Sequence, residues 1–271
     1  MTIKNSLSKD MLEYWYEELG SLQKVSDHLS IPIDTIYGYA KKFNLKYSKK
    51  YKGVYSCNQN FFEQDTPESF YLAGFVAADG SVQYRKYSKI LKITLSEKDF
   101  AHLEKIKKTL DSTHPIKKYL VKKSKLVNKE SNSVELQIAN SKLVDDLKRF
   151  GIIPNKTKIY QMPEWLINHD LISHFMRGYF DGDGTISYSG LGKGRTVKQL
   201  SWSILGTEAF IDQYRKIFSR ALKIKEFKIL KHKSVFKIST SGNKSVLKIK
   251  NYLYKDATLY LDRKFKKINL L

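Results

Sequence analysis

The stretch Tyr71-Leu72-Ala73-Gly74-Phe75-Val76-Ala77-Ala78-Asp79-Gly80 decides the fold, because a second version follows as Phe175-Met176-Arg177-Gly178-Tyr179-Phe180-Asp181-Gly182-Asp183-Gly184. Each copy starts on an aromatic residue, has Gly at its fourth position and ends in Asp-Gly, and matched positions lie 104 residues apart. The spacing predicts two helices whose small residues (Ala73, Gly74, Ala77, Ala78; Gly178, Gly182) share one face. Glycine inside a helix costs about 1 kcal/mol against alanine, so several together need a packing reason. Close approach of two helix backbones supplies one. Gly80 and Gly184 are expected as left-handed C-terminal caps.

The two terminal acids are harder to explain by packing. Asp79 and Asp183 fall in the last turn of their helices, where the helix dipole disfavours negative charge. Side-by-side helices would also bring the carboxylates together, and a divalent cation between them removes both penalties. A plain Asp-Gly turn would explain one copy, but two copies at matched positions favour a site.

Both segments resemble the LAGLIDADG motif of homing endonucleases in its single-chain, two-motif form. The match is close over Leu72–Gly80 and looser over Met176–Gly184, where Arg177 replaces a small residue. The resemblance covers roughly residues 67–270. It implies an α+β, pseudo-two-fold duplicated endonuclease fold with Mg²⁺ as cofactor. Asp79 and Asp183 would be the metal-binding acids, with Ala78 and Gly182 as accompanying metal-site residues. The motif's earlier acid is present as Asp181 but is Ala77 in the first copy, so it is not required of both. The family also uses a basic residue near each metal site. By position this falls on Lys237 in the second half and on Gln137 in the first, a departure that leaves open whether Gln137 serves, whether Lys118 or Lys122 reaches in, or whether one site is weaker. The implied activity is hydrolysis of both strands of a long, asymmetric DNA target, leaving short 3′ overhangs. The implied gene is intron-encoded or a free-standing mobile element. A non-cleaving transcription regulator and an RNA-splicing maturase are the rival readings; retention of both Asp79 and Asp183 argues against the regulator.

Composition agrees with a polyanionic partner. The 271 residues carry 49 Lys and Arg against 27 Asp and Glu, for a net charge of +22, and nucleic acid is the default partner for such an excess. No apolar run is long enough to span a bilayer, and Cys57 is the single cysteine, which excludes disulfide and cysteine-zinc frameworks. The expectation is a soluble, cytoplasmic monomer that binds double-stranded DNA and has neither a membrane nor a small-molecule substrate. Asp181-Gly182-Asp183-Gly184-Thr185-Ile186 begins like a calcium loop but has Ile at the sixth position and Gly192 at the twelfth, against that motif's requirements.

Ahead of the duplication, residues 1–45 read as a small all-α helix-turn-helix domain. Ser8 or Lys9 opens the first helix and Gly20 stops it. Ser21 caps Leu22–Leu29, and Asp34 or Thr35 starts a third helix through Phe43. Val25, Leu29, Ile36 and Phe43 have the spacing of a shared core. Thr35, Tyr37, Tyr39, Lys41 and Lys42 are the candidate DNA-reading side chains of the third helix. Residues 46–66, with Lys49 and Lys50, read as a basic linker crossing DNA.

Each half, residues 67–160 and 161–271, reads as helix, two strands, helix, two strands, helix. In the first half the strands are Ser81–Tyr84, Lys89–Ser96, Ile116–Lys123 and Ser133–Ile138, with helices Asp99–Leu110 and Ser141–Phe150. In the second they are Thr185–Tyr188, Lys198–Leu205, Phe227–Leu230 and Ser234–Ser239, with helices Glu208–Leu222 and Asn243–Tyr254. Pro154–Ile159 closes the first half much as Asp262–Ile268 closes the second. Strands with one polar face make a groove that follows a DNA major groove. Its candidate residues are Gln83, Arg85, Lys86, Lys92, Thr94, Lys118, Lys122, Arg195, Ser201, Ser203, Lys228 and Lys231.

Overall fold

The computed structural model describes residues 7–45, 55–121, 130–189 and 199–269. It divides into two compact units, Met1–Val54 and Tyr55–Leu271. Lys49, Lys50, Lys122 and Arg195 lie outside the described residues.

The first unit is three helices: α1 (Lys9–Leu19), α2 (Leu22–Leu29) and α3 (Ile33–Lys42). The Ser8 hydroxyl accepts from the Met11 amide and Ser21 from the Lys24 amide, satisfying amides that have no partner within the helix. Gly20 ends α1 in the left-handed conformation. Leu12, Leu22, Val25, Ile36 and Ala40 form the core, with Leu29 and Phe43 half-buried at its edge.

In the second unit the segment from Tyr55, expected as linker, is fastened to the body. The Asn58 amide donates to the Leu110 carbonyl and the Thr113 amide to that of Ser56, while Phe61 and Phe62 enter the core. The first half then runs α4 (Pro67–Ala78), β1 (Gly80–Tyr84), β2 (Lys89–Ser96), α5 (Phe100–Thr109), β3 (Ile116–Val121), β4 (Ser131–Ala139) and α6 (Ser141–Asp146). A connection with a 3-10 turn at Lys156–Lys158 and the short α7 (Glu164–Ile167) leads onward. The second half is α8 (Ile172–Asp183), β5 (Gly184–Ser189), β6 (Gln199–Gly206), α9 (Glu208–Leu222), β7 (Leu230–His232), β8 (Val235–Ser241), α10 (Asn243–Tyr254) and α11 (Asp262–Ile268). Each half holds one antiparallel sheet, in orders β1-β2-β4-β3 and β5-β6-β8-β7. The duplication is therefore visible as two sheets of identical topology.

The motif helices α4 and α8 pack against each other at backbone contact. A Cβ on Gly74 would lie 2.0 Å from the Phe175 carbonyl oxygen, and one on Gly178 would lie 1.8 Å from that of Tyr71. Only hydrogen fits at either position. Ser69 through Ala77 are all buried, so α4 is enclosed on every side, as expected of a helix that is apolar all round.

Three expectations are corrected, and one stretch left without an element type is assigned. Gly80 and Gly184 are not left-handed caps: Gly184 is extended (φ −83°, ψ 160°), and Gly80 already pairs with Ile93 as the first residue of β1. Each strand leaves its helix so abruptly that a side chain there would strike the last turn, at Val76 Cα (2.7 Å) or the Phe180 ring (2.0 Å). The strand expected at Phe227–Leu230 lies at Leu230–His232 instead. Phe227 serves as a core anchor, its ring 6.3 Å from Trp202 and 6.2 Å from Phe218. The helix expected over Ser141–Phe150 changes at Leu147 into a 3-10 turn closed by left-handed Gly151. Finally, Asp262–Ile268 is a helix, α11, with buried Lys264 and Ile268.

Candidate active site

Asp79 caps the C-terminus of α4 and Asp183 is the last residue of α8, so helix packing brings the two acids to one place. The carboxylate of Asp79 reaches the second motif: its Oδ2 lies 3.4 Å from where a Cβ on Gly182 would be. Both residues open to solvent on one side. The protein around their other sides still disfavours charge. Desolvation, then the charge of Asp183, raises the Asp79 carboxyl to about 6. Desolvation also raises Asp183. Two carboxylates that resist ionising together, open to solvent on one side and with only oxygen donors, fit a hard divalent cation such as Mg²⁺. No group of three or more His, Cys, Asp or Glu is found among the described residues, so carbonyls, water and phosphate oxygens would complete the shell.

Two buried lysines that the sequence reading passed over flank the acids. Lys156 donates to the Gly80 carbonyl at 2.7 Å. Lys264 donates to the carbonyls of Phe180 (2.7 Å), Asp181 (2.7 Å) and Gly182 (3.0 Å). Phe180, Asp181 and Gly182 form the last turn of α8 and Gly80 directly follows α4, so both ammonium groups sit at the C-terminal ends of the motif helices, where a cation is favoured. Burial lowers each lysine to about 8, while Asp79 and Asp183 act to raise them again. In return both lysines draw the two carboxyls back toward the charged form. The Gly182 carbonyl, expected in the metal shell, thus already accepts one hydrogen bond. The signal for these lysines was the resemblance of Pro154–Ile159 to Asp262–Ile268, which places one lysine at the same point of each half.

The strand registers revise the basic pair expected from the resemblance. Ile93 opposes Leu136 just as Ile204 opposes Ile238. Gln137 therefore corresponds to Ser239, and Lys237 corresponds to Glu135. Lys237 lies on β8, two strands away from the β5 that continues Asp183. The positive charges that act on the acids are instead Lys264, Lys156 and, for Asp79, Arg263.

Asp181 and Arg177, the odd residues of the second motif, belong to the interior. Asp181 accepts from the hydroxyls of Tyr71 (2.9 Å) and Tyr254 (2.8 Å) and from the Leu261 amide (2.8 Å). Arg177 donates to the carbonyls of Leu259 and Leu253, both at 3.0 Å, and to His174 Nδ1. Asp181 is tolerated as a buried charge because its oxygens are met in this way, whereas Arg177 keeps one guanidinium nitrogen, Nη2, buried without a hydrogen bond among the described residues.

Residues opposite one another in an antiparallel pair share a face. On that rule Gln83, Lys92, Thr94, Gln137, Ser201, Ser203 and Lys237 lie on the polar sheet faces, opposite to Val82, Leu91, Ile93, Trp202 and Ile204 in the core. Lys92 neutralises Glu135 on this face at 2.6 Å. Arg85 and Lys86 are exposed in the turn after β1. Lys118 does not join them: it opposes buried Val134, and its ammonium sits 4.7 Å over the Phe100 ring and 3.4 Å from Glu97. Lys117, opposite Glu135, takes the polar position. Lys231 likewise opposes Phe236 on the packed side, and Lys228 is exposed ahead of β7. Neither edge strand shows an apolar alternation, so the sequence could not set the face, and a slip of one residue reverses it. In α3 of the first unit, Thr35, Lys41 and Lys42 are exposed, whereas Tyr37 and Tyr39 are half-buried against that unit's core.

No family model matches the chain, and no curated protein sequence matches it. Solved structures do. The homing endonuclease I-WcaI, bound to its DNA recognition sequence, aligns over 84% of this chain and 97% of its own, at 16% identity and a TM-score of 0.57. A lysine-to-alanine mutant of I-SmaMI, a LAGLIDADG homing endonuclease, aligns over 74% of this chain and 88% of its own, at 14% identity and a TM-score of 0.51. With its two matched sheets and paired motif helices, the chain has the fold of the LAGLIDADG homing endonucleases.

Proposed function

We propose that the protein is a site-specific, divalent-metal-dependent endonuclease that cuts both strands of a long, asymmetric DNA target and acts as a monomer. The observation that carries this reading is the meeting of Asp79 and Asp183, one from each half, each beside a buried lysine and each leading directly into the first strand of its half's sheet. A protein that only bound DNA would gain nothing from two carboxylates that repel each other and the phosphates. The related fold of I-WcaI bound to its recognition sequence supports DNA as the partner.

Asp79 and Asp183 would hold Mg²⁺, whose Lewis acidity toward the phosphodiester is what a bound ion supplies. The carbonyl of Ala78 and the remaining lone pair of the Gly182 carbonyl are the nearest backbone donors in sequence. Lys156 and Lys264 place positive charge beside the acids, where negative charge accumulates on phosphate oxygens in the transition state. The polar faces carrying Gln83, Lys92, Thr94, Gln137, Ser201, Ser203 and Lys237 would hold the duplex in register by phosphate and base-edge contacts. The first unit, with Thr35, Lys41 and Lys42 outward on α3, would act as a helix-turn-helix reader of flanking DNA. Incubating the protein with a randomised duplex library and Mg²⁺, then sequencing the ends, tests this. Defined breaks at one extended sequence support it; no breaks at any sequence would refute cleavage.

A further inference from the structure

The segments that carry the two buried lysines are each fastened to the opposite half. α11, which bears Lys264 in the second half, is held by the first half. Arg263 donates through Nε to both oxygens of Asp99, at 2.7 and 3.0 Å, and Lys105 pairs with Asp262 at 2.7 Å. Asp99, at the start of α5, is almost fully buried. The segment following Lys156 leaves the first half at Tyr160, and α9 of the second half with its N-cap Thr207 holds it on both sides of that boundary. The Met162 amide donates to Gln213 Oε1 (2.8 Å), Gln213 Nε2 donates to the Met162 carbonyl (2.9 Å), and the Thr207 hydroxyl donates to the Tyr160 carbonyl. α5 and α9 are the equivalent helices of the two halves, so the exchange is reciprocal. Its chemistry is not: one clamp is a carboxylate–guanidinium pair, the other an amide bonded to backbone.

We propose that each active-site lysine is positioned from the opposite half, Lys264 by Asp99 acting through Arg263 and Lys156 by Gln213 acting through Met162. This rests on the endonuclease reading. Asp99 and Gln213 are positioning residues, since each reaches its lysine through the backbone of another residue. Lys264 follows Arg263 directly in α11, and the aliphatic part of its path is closed by burial. Loss of the Asp99 clamp frees α11 from α5 while leaving the backbone contact of α4 and α8 that brings Asp79 and Asp183 together. A displacement of about 1 Å at a catalytic group can cost on the order of a hundredfold in rate. The consequence is crossed control, in which a change in one half falls on the lysine of the other.

The test uses the full chain and a duplex carrying the selected target, with each strand labelled separately and single-turnover nicking followed on both. Asp99→Asn should change the ratio of the two nicking rates by about tenfold or more, and Gln213→Leu should change it in the opposite direction. Asp99→Glu, which keeps the carboxylate, should return the ratio toward wild type. A purely structural role would slow both strands equally in both variants, and that result, or a bias toward the same strand in both, would overturn the proposal. A second readout needs neither metal nor DNA: the rate at which an amine-acylating reagent labels Lys264, followed by mass spectrometry. It should rise in Asp99→Asn and not in Gln213→Leu; an unchanged rate would contradict the clamp. Should Asp99→Asn fail to fold, Arg263→Gln removes the half-exposed partner instead. If the wild type cuts no target, the endonuclease reading falls while the labelling experiment still decides the positioning.

Discussion

A Cβ on Gly178 would lie 1.8 Å from the carbonyl oxygen of Tyr71, inside any permissible contact. Helix propensity alone would make Gly178→Ala stabilising by about 1 kcal/mol. Sterics outweigh it here, because the neighbour is rigid backbone rather than a yielding side chain. The variant should lose about 2 kcal/mol or more, read as a lower midpoint in urea unfolding. A variant as stable as wild type would show that α4 and α8 can separate without cost.

Lys264 sits where its charge lowers the carboxyl of Asp79, which burial and Asp183 nevertheless hold at about 6. Lys264→Met removes that cation, so the Asp79 midpoint should move upward. A carboxylate titration by NMR on the metal-free protein measures it directly. Mg²⁺ binding should follow the same shift, since a protonated carboxyl does not ligate: affinity falls below the midpoint and recovers above it. A midpoint that stays or moves downward would remove Lys264 from the site.

His102 gives the metal-free body a separate acid sensitivity. Tyr71 donates its hydroxyl proton to Asp181, so His102 Nε2, 3.0 Å away, is the N–H partner, and Nδ1 is left without a hydrogen bond. Desolvation, aided by Lys105, lowers its pKa from 6.5 to about 4. The depressed value means that this contribution to stability is present above about 6.5 and is lost as pH falls toward 4, by up to on the order of 3 kcal/mol. Asp79, Asp181 and Asp183 are shifted upward and act in the opposite sense over the acid part of this window. The comparison is therefore between wild type and His102→Gln, whose unfolding free energies should converge as pH falls from 6.5 to 4. Parallel curves would contradict the assignment.

The first unit, if it reads flanking DNA, acts as a tethered module at an effective concentration around millimolar. Deleting residues 1–50 should weaken target binding by roughly ten- to ten-thousand-fold and shorten the nuclease-protection footprint on one side only. Cutting chemistry should survive, because both acids and both lysines lie in the second unit. An unchanged footprint would make these helices something other than a DNA reader.

The repeat at Tyr71 and Phe175 made the architecture legible, because matched glycines at matched spacing leave few packing solutions. Helices Glu208–Leu222 and Asn243–Tyr254 lie where their apolar periodicity puts them. Faces of the edge strands were not legible: β3 exposes four consecutive residues, Lys117–Leu120, so no alternation marks its inner side. The acids could be found because each ends a motif. The lysines were far less legible: beyond the loose likeness of Pro154–Ile159 to Asp262–Ile268, Lys156 and Lys264 look like two among 49 Lys and Arg until the fold buries them beneath the helix ends. The positive charge that acts on the two acids comes from the segments that close each half rather than from β4 or β8.

The central claim is that Asp79 and Asp183 together perform metal-dependent cleavage, and single-turnover cutting of the selected target by Asp79→Asn and Asp183→Asn tests it most directly, with binding measured in parallel. Each variant should lose double-strand cleavage in Mg²⁺ while binding the target as tightly as wild type or more tightly, because a repelling carboxylate is removed from beside the phosphates. Full double-strand cutting by either variant would contradict the account.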